Sequence, residues 1–244
     1  MSVKRTIDLT VAGAGLLILS PVMAGVAGAI WLSDHGSPFY SAFRIGLGGR
    51  PFKMHKFRSM ILDADRIGAS STGNRDPRLT KVGRAIRAVK LDELPQLFNV
   101  LRGEMSLVGP RPNLAFAVEG YTAEERRLLD VRPGITDIAS IVFADEGAIL
   151  AEEPDPDLAY EQLIRPGKSR LGVFYVDHAS ARMDIAIVII TILNGFSRRV
   201  ALSRVQHLLR NHGASEDLLR LASRKYPLQP APPLGLNEVV AQTG

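Results

Sequence analysis

Residues Leu9 to Leu32 read LTVAGAGLLILSPVMAGVAGAIWL, an uncharged apolar run with Ser20-Pro21 at its middle. At about 1.5 Å rise per residue, a helix of this length can cross a hydrocarbon core of about 30 Å. It exceeds the apolar stretch of a cleaved leader, which spans about 7–15 residues. Two features argue against a simple crossing. Pro21 removes a backbone hydrogen bond and leaves a carbonyl to be satisfied elsewhere, for which the Ser20 hydroxyl is a partner. Lys4 and Arg5 precede the run while Arg44, Arg50, Lys53, Lys56 and Arg58 follow it, so the positive-inside rule assigns both flanks to the cytoplasm. A kinked spanning helix satisfies the proline alone. The two basic flanks predict a helix that enters one leaflet, breaks at Ser20-Pro21 and returns.

The 244 residues, 46% of them hydrophobic, suffice for one substantial core plus a membrane segment and a tail. Thirty Lys and Arg against 25 Asp and Glu leave a net charge of +5. That balance suits an anionic partner, and the apolar N-terminus favours a lipid leaflet over nucleic acid, which is not expected to bind. With no cysteine, disulfide frameworks, thiolate nucleophiles and Cys-based zinc sites are excluded. His35, His55, His178, His207 and His212 have no zinc-ligand spacing.

Beyond the apolar run, Gly46-Leu47-Gly48-Gly49 reads as a hairpin turn between short strands within Phe39 to Phe57. Met60 to Ile67 reads as a helix with Asp63 and Asp65 on its wet face, and Gly68 to Asn74 as a linker. Asp76-Pro77 predicts the start of a helix whose apolar stripe is Val82, Ile86 and Val89. Thr122 and Glu125 form a capping-box pattern in a helix from Tyr121 to Asp130. Val131 to Thr136 reads as a tight turn, and Ala144 to Pro166 as a surface excursion. Asp184 to Phe196 is a buried or membrane-lying helix, too short to span. Arg198, Arg199, Arg204 and Arg210 with Val200, Leu208 and Leu209 suit a helix lying on an anionic surface, or one binding a partner. Ser215 caps one more helix, and Pro227 to Gly244 reads as a disordered tail. The class is mostly α with a small β-hairpin, an α+β chain. Its parts are a membrane helix over 1–36, a compact domain over 37–196, and amphipathic helices with a Pro-rich tail over 197–244.

The chemistry concentrates in two stretches. Asp92-Glu93-Leu94-Pro95-Gln96-Leu97 puts two acids at a predicted helix start, where the macrodipole and free N–H groups favour an ionised carboxylate and a bound phosphate. Adjacent residues point about 100° apart on a helix, so Asp92 and Glu93 serve different partners. Gly103 to Pro112 follows, with Arg111 held between two prolines as a stiff, bidentate phosphate clamp. An acidic pair at a helix start is ordinarily a cap. The surrounding cations, Arg87, Lys90 and Arg111 with Lys56 and Arg58 within folding reach, favour a carboxylate that attacks phosphorus.

Lys4-Arg5 with Asp8, Ser20-Pro21, Lys56 to Met60, Leu91 to Leu97, Gly103 to Pro112 and Arg132 to Thr136 occur together and in order. Over roughly Lys4 to Phe196 the chain resembles the bacterial sugar transferase family, monotopic phosphoglycosyl transferases that begin lipid-linked glycan assembly. The resemblance implies a helix broken at Ser20 and Pro21 and a site on the cytosolic face of the bacterial inner membrane. It implies transfer of a phosphosugar from a UDP-sugar to a polyprenyl phosphate. By motif, Asp92 is the nucleophile and a Mg²⁺ ligand, and Glu93 assists as base or metal partner. Lys56, Arg58, Arg87 and Arg111 hold phosphates. Downstream glycosyltransferases or a second copy of the chain are further candidate partners. Ala42, Asp137 and Ser140 depart from the family pattern, which leaves the sugar open. A membrane-anchored module that binds lipid or a partner, and a nucleotide-sugar hydrolase using the same aspartate, are the alternatives.

Overall fold

The computed structural model describes residues 3–64 and 76–241. Helix α1 runs over Val3–Asp34, 32 residues, with Pro21 inside it. The helix does not break at Ser20-Pro21, which corrects the sequence expectation. Proline removes one rung of the ladder, and the Ser20 hydroxyl donates to the Leu17 carbonyl at 2.8 Å. That is the carbonyl an amide at position 21 would have bonded, so the lost bond is partly replaced and the helix runs on.

Both ends of α1 attach to the rest of the chain. Lys4 donates to the Val108 carbonyl (3.0 Å) and to Asp184 (2.6 Å), and Arg5 donates to the carbonyls of Val100 (2.6 Å) and Leu101 (3.0 Å). Asp8 accepts from the Ser106 hydroxyl and the Leu107 amide, each at 3.1 Å. At the far end Asp34 takes two guanidinium nitrogens of Arg58, each at 2.5 Å. Between these clamps Ala12, Met23 and Ile30 are buried while Leu17, Ile18, Trp31 and Leu32 are exposed. By length and composition α1 suffices to cross a membrane. Its exposed apolar residues would each lose about 1.5–3 kcal/mol in water.

Strands β1 (Phe39–Ile45) and β2 (Pro51–Phe57) form the expected antiparallel hairpin, with Phe39 opposite Phe57 and Ile45 opposite Pro51. Its turn places Gly48 and Gly49 at φ of 64° and 77°, which side chains beyond glycine rarely adopt. Buried Phe52 and Met54 of β2 pack with Ala12 of α1. Met60 bridges to Leu79 rather than opening a helix, and Asp63 sits in a turn. The rest of that expected helix, with Asp65, and the 68–74 linker lie outside the described residues.

Helix α2 is Lys81–Ala88, later than Asp76-Pro77 suggested. Thr80 caps it by accepting from the Gly83 amide at 2.8 Å, whereas Asp76 is taken up by Arg78. Ile86 of the expected stripe is buried, and Val89 is exposed. Helix α3 (Gln96–Arg102) ends, as expected, at Gly103 with φ of 84°. Strand β3 (Ser106–Val108) then pairs in parallel with β4 (Gly134–Thr136), so the stretch read as a tight turn is a strand. Short-range periodicity cannot reveal a three-residue strand whose partner is distant. Helices α4 (Ala115–Glu119) and α5 (Ala123–Arg126) lie between, and Thr122 and Glu125 form the capping box.

The main core follows. Helices α6 (Ile138–Val142), α7 (Glu146–Leu150) and α8 (Pro156–Ala159) lead into α9 (Arg165–His178), α10 (Ala181–Phe196), α11 (Arg198–Asn211) and α12 (Glu216–Ser223). Ile138, Leu171, Ile187, Val205 and Leu219 meet there. The segment read as a surface excursion buries Leu150, Ala159 and Ile164, because each of its short helices contributes one apolar contact. Helix α10 buries Met183 and Ile187 and exposes Ile185, Ile189 and Ile192. Helix α11 turns Ala201, Val205 and Leu209 into the core, leaving Arg199, Arg204 and Arg210 outside. Its apolar face therefore covers the core instead of lying on a surface. Ser215 caps α12 as expected. The described tail is irregular yet attached: the Thr122 hydroxyl donates to Leu234 O (2.5 Å), and Ala231 N–H to Gln162 O (3.0 Å).

Candidate active site

Lys90, with left-handed φ of 57°, turns the chain from α2 into a 3₁₀ turn over Leu91–Glu93. Pro95 then stands at the N-cap of α3, where its missing N–H costs nothing. This extra turn separates Asp92 from the helix start. Asp92 is 7% exposed, and its carboxyl is raised above the ordinary range. Burial is the main cause; Lys56 opposes it, Glu93 reinforces it, and Arg87 and Arg111 oppose it more weakly. The expectation that the helix dipole keeps Asp92 readily ionised is thus corrected: desolvation outweighs the nearby positive charge.

Glu93 faces the cations. Its Oε1 accepts from Lys56 Nζ at 3.1 Å and from Arg111 Nη2 at 2.5 Å. Burial pushes its carboxyl up, but Arg111 and Lys56 together outweigh that and hold it well below the usual carboxylate range. The Lys56 ammonium is lowered, first by burial and then by Arg111. Arg111 is raised, chiefly by Glu93. Both acids feel the charges of Lys56 and Arg111, and Glu93 takes their hydrogen bonds.

The loop carrying Arg111 rests on the parallel strand pair. Gly109 N–H donates to Thr136 O and Gly134 N–H to Pro110 O, each at 3.1 Å. A β-carbon on Gly134 would lie 2.1 Å from Gly109 N, so this contact admits only glycine. Arg111 N–H donates to Asp137 at 3.3 Å. Asp137 and Ser140, the two departures from the family pattern in this stretch, form a reciprocal capping box at the start of α6. Arg132 donates to the Gly103 carbonyl at 2.8 Å, tying together the two loops that flank the site.

Arg87, in the last turn of α2, acts on Asp92 by its charge and lines a cavity of about 640 Å³ with Lys90, Glu93 and Arg111. Lys56, Arg87, Arg111 and the acidic pair thus converge. Arg58 does not join them: its guanidinium donates to Asp34, Ser37 O and Met60 O at the end of α1. Ser20 and Pro21 lie on α1 and are not among the residues lining the cavity. Sequence reasoning missed Glu146, Tyr160 and Lys168, which line the same cavity. Glu146 and Tyr160 belong to the stretch read as a surface excursion and Lys168 to the start of α9, and no local pattern in the sequence marks them.

Among the described residues no group of three or more His, Asp or Glu forms a metal cluster. The acidic pair still fits magnesium, which takes one or two carboxylates and completes its shell with water and substrate phosphate. Asp92 is nearly buried, and burial and charge act on it without a hydrogen bond to its carboxylate among the described residues.

Glu93→Gln should destabilise the fold at pH 7 by about 1–3 kcal/mol, because the amide leaves Lys56 and Arg111 without a counter-charge. The lowered folded-state value of Glu93 fixes the sign. Its stabilisation is complete above the unfolded value of about 4.3 and is lost as pH falls through the folded one. Denaturant melts of both proteins across pH 7 to 3 should therefore converge toward acid; a gap that widens there would refute the assignment.

The sequence profile of the family described as "Bacterial sugar transferase" matches residues 1–198. A UDP-glucose:undecaprenyl-phosphate glucose-1-phosphate transferase of Escherichia coli (strain K12) is 35% identical over 206 residues, 81% of this chain and 41% of its own. An undecaprenyl-phosphate glucose phosphotransferase of Komagataeibacter xylinus is 40% identical over 200 residues, 78% of this chain and 35% of its own. A UDP-N-acetylgalactosamine-undecaprenyl-phosphate N-acetylgalactosaminephosphotransferase of Aeromonas hydrophila is 35% identical over 205 residues, 81% and 45% of the two chains. The chain spans less than half the length of these three relatives. With the motifs, the acid-cation cluster and a profile match over most of its length, the chain belongs to the bacterial sugar transferase family.

Proposed function

We propose that the chain transfers a phosphosugar from a UDP-sugar to a polyprenyl phosphate at the cytosolic face of the bacterial inner membrane. The observation that carries this is Asp92: a nearly buried carboxylate with no hydrogen bond among the described residues, under the charge of Lys56, Arg87 and Arg111 and adjacent in the chain to Glu93, which lines the cavity. Three relatives named for undecaprenyl-phosphate transfer support the acceptor.

In the first step an Asp92 oxygen attacks the sugar-proximal phosphorus, forming a carboxyl–phosphoryl bond. The bridging P–O bond breaks, and its electron pair leaves with UMP. In the second, a polyprenyl phosphate oxygen attacks the same phosphorus and the Asp92 carboxylate is released. Arg111 and Arg87 hold the phosphate oxygens, while Glu93 keeps Lys56 and Arg111 aimed into the site. Bound at Asp92, Mg²⁺ would offset diphosphate charge. Ionisation of Asp92, disfavoured by burial, becomes easier when cations gather, and its desolvated oxygen is the more reactive for lacking hydrogen bonds.

The same reading includes a one-leaflet arrangement. Lys4, Arg5 and Asp8 at one end of α1 and Asp34 at the other bind the same domain, which supports an unbroken helix with both ends on one side of the bilayer. A polyprenyl tail costs about 0.8 kcal/mol for each CH₂ exposed to water, so catalytic groups must reach the acceptor at the interface. Single cysteines at positions 2 and 37 should label from the cytosolic side only; labelling from opposite sides would overturn the one-sided placement.

The test of activity is UMP release from a panel of UDP-sugars, with and without polyprenyl phosphate. Full turnover is expected only with the acceptor, and about one enzyme equivalent of UMP without it. Turnover without acceptor makes the protein a hydrolase. No UMP from any donor leaves the reading of a binding module.

A further inference from the structure

The cavity that receives Arg111 and Glu93 does not end at the cations. It continues past Ser140 to a lobe walled by α7, α8, the turn over Tyr160–Ile164 and α9, where Glu146, Tyr160 and Lys168 stand beside Glu161 and Arg165, which pair with each other. Lys168 Nζ donates to Glu146 Oε2 across this lobe and stands 5.5 Å from the centre of the Tyr160 ring. The two side chains are 24% and 29% exposed, so they are reachable from the cavity. Each keeps capacity to bind. Lys168 has two further ammonium protons, and Glu146 Oε1 has no partner among the described residues.

We propose that this lobe reads the sugar, and that the Glu146–Lys168 pair selects a neutral pyranose by its hydroxyl pattern. The inference rests on the transferase reading and extends it to donor choice. In a two-step reaction the nucleotide leaves after the first step while the sugar stays attached to Asp92. A group retained through both steps belongs in a walled lobe, and a leaving group at the open side. Neighbouring hydroxyls can donate to the free carboxylate oxygen and accept from the ammonium at once. The Tyr160 ring beside the ammonium adds a flat face for the C–H side of a pyranose. A uronic acid would bring a second negative charge against Glu146, which disfavours it.

The test compares the wild type with Glu146→Gln, Lys168→Met and Lys168→Arg. Each is assayed for UMP release from UDP-glucose, UDP-galactose, their N-acetylamino counterparts and UDP-glucuronic acid, and for inhibition by UDP, which carries no sugar. Glu146→Gln and Lys168→Met should raise the KM of the preferred donor about tenfold, the worth of one charge-assisted hydrogen bond. Glu146→Gln should also improve UDP-glucuronic acid relative to neutral donors, and Lys168→Arg should keep the wild-type ranking. Inhibition by UDP should stay within about twofold in all three, which also reports an intact fold. Loss of UDP inhibition in parallel with donor KM would assign the lobe to the nucleotide and overturn the proposal. An unchanged donor ranking in both Glu146→Gln and Lys168→Met would overturn it too. A wild type that releases no UMP from any donor defeats the transferase reading instead, an outcome distinct from these.

Discussion

Asp92→Asn is expected to abolish both UMP release and the covalent adduct, lowering turnover by about 10⁴-fold or more, because an amide cannot serve as the phosphorus nucleophile. The same substitution should make the folded protein more stable at neutral pH. Asp92 has a folded-state value raised by burial, so its ionised form costs stability as pH rises from the unfolded value through the folded one. Removing the charge relieves that cost, and the gain should vanish in acid, where the wild-type carboxyl is protonated. Loss of activity together with a raised melting temperature separates a missing nucleophile from a damaged fold. The acid limb of the wild-type pH profile for UMP release should follow the same raised value, since only the carboxylate attacks. Adduct detected by intact-protein mass spectrometry in Asp92→Asn would remove this residue from the mechanism.

The second large effect is expected at Arg111. Arg111→Met should lower kcat/KM by about 10²–10³-fold, the scale for losing one group aimed at developing charge. Lysine should restore only part of this, because an ammonium is a point charge and lacks the planar fork that grips two phosphate oxygens. Arg111 also holds Glu93 at 2.5 Å. Its removal leaves Glu93 with Lys56 alone. Saturation kinetics with a fixed UDP-sugar distinguish the two roles. A rise in KM alone means Arg111 only binds, and a fall in kcat means it acts in the reacting complex. Activity within about threefold of wild type would exclude it from both.

Much of the site was legible in the sequence because its parts are short and local. Asp92 and Glu93 are neighbours, and Pro110 and Pro112 stiffen Arg111 from either side, so residue type and spacing carried the chemistry. The hairpin was legible because glycines at its turn and alternating Phe52 and Met54 announce one. Arg58 misled because it follows Lys56 by two residues in a basic stretch. Its direction depends on Asp34, a partner on another element. The start of α2 misled because Asp76-Pro77 imitates a cap, while Arg78 already occupies Asp76.

The sequence by itself determined the apolar helix, the hairpin, the capped helices and the identities of the acids and cations, since each rests on local backbone preference or residue chemistry. Only the tertiary structure decided that Glu93 and not Asp92 takes the cations, that both ends of α1 clasp one domain, and that residues 146–168 wall the cavity. Those outcomes depend on burial and on contacts between residues up to 180 positions apart, as between Lys4 and Asp184. Desolvation and distant charge are properties of the folded arrangement, and no window along the chain contains them.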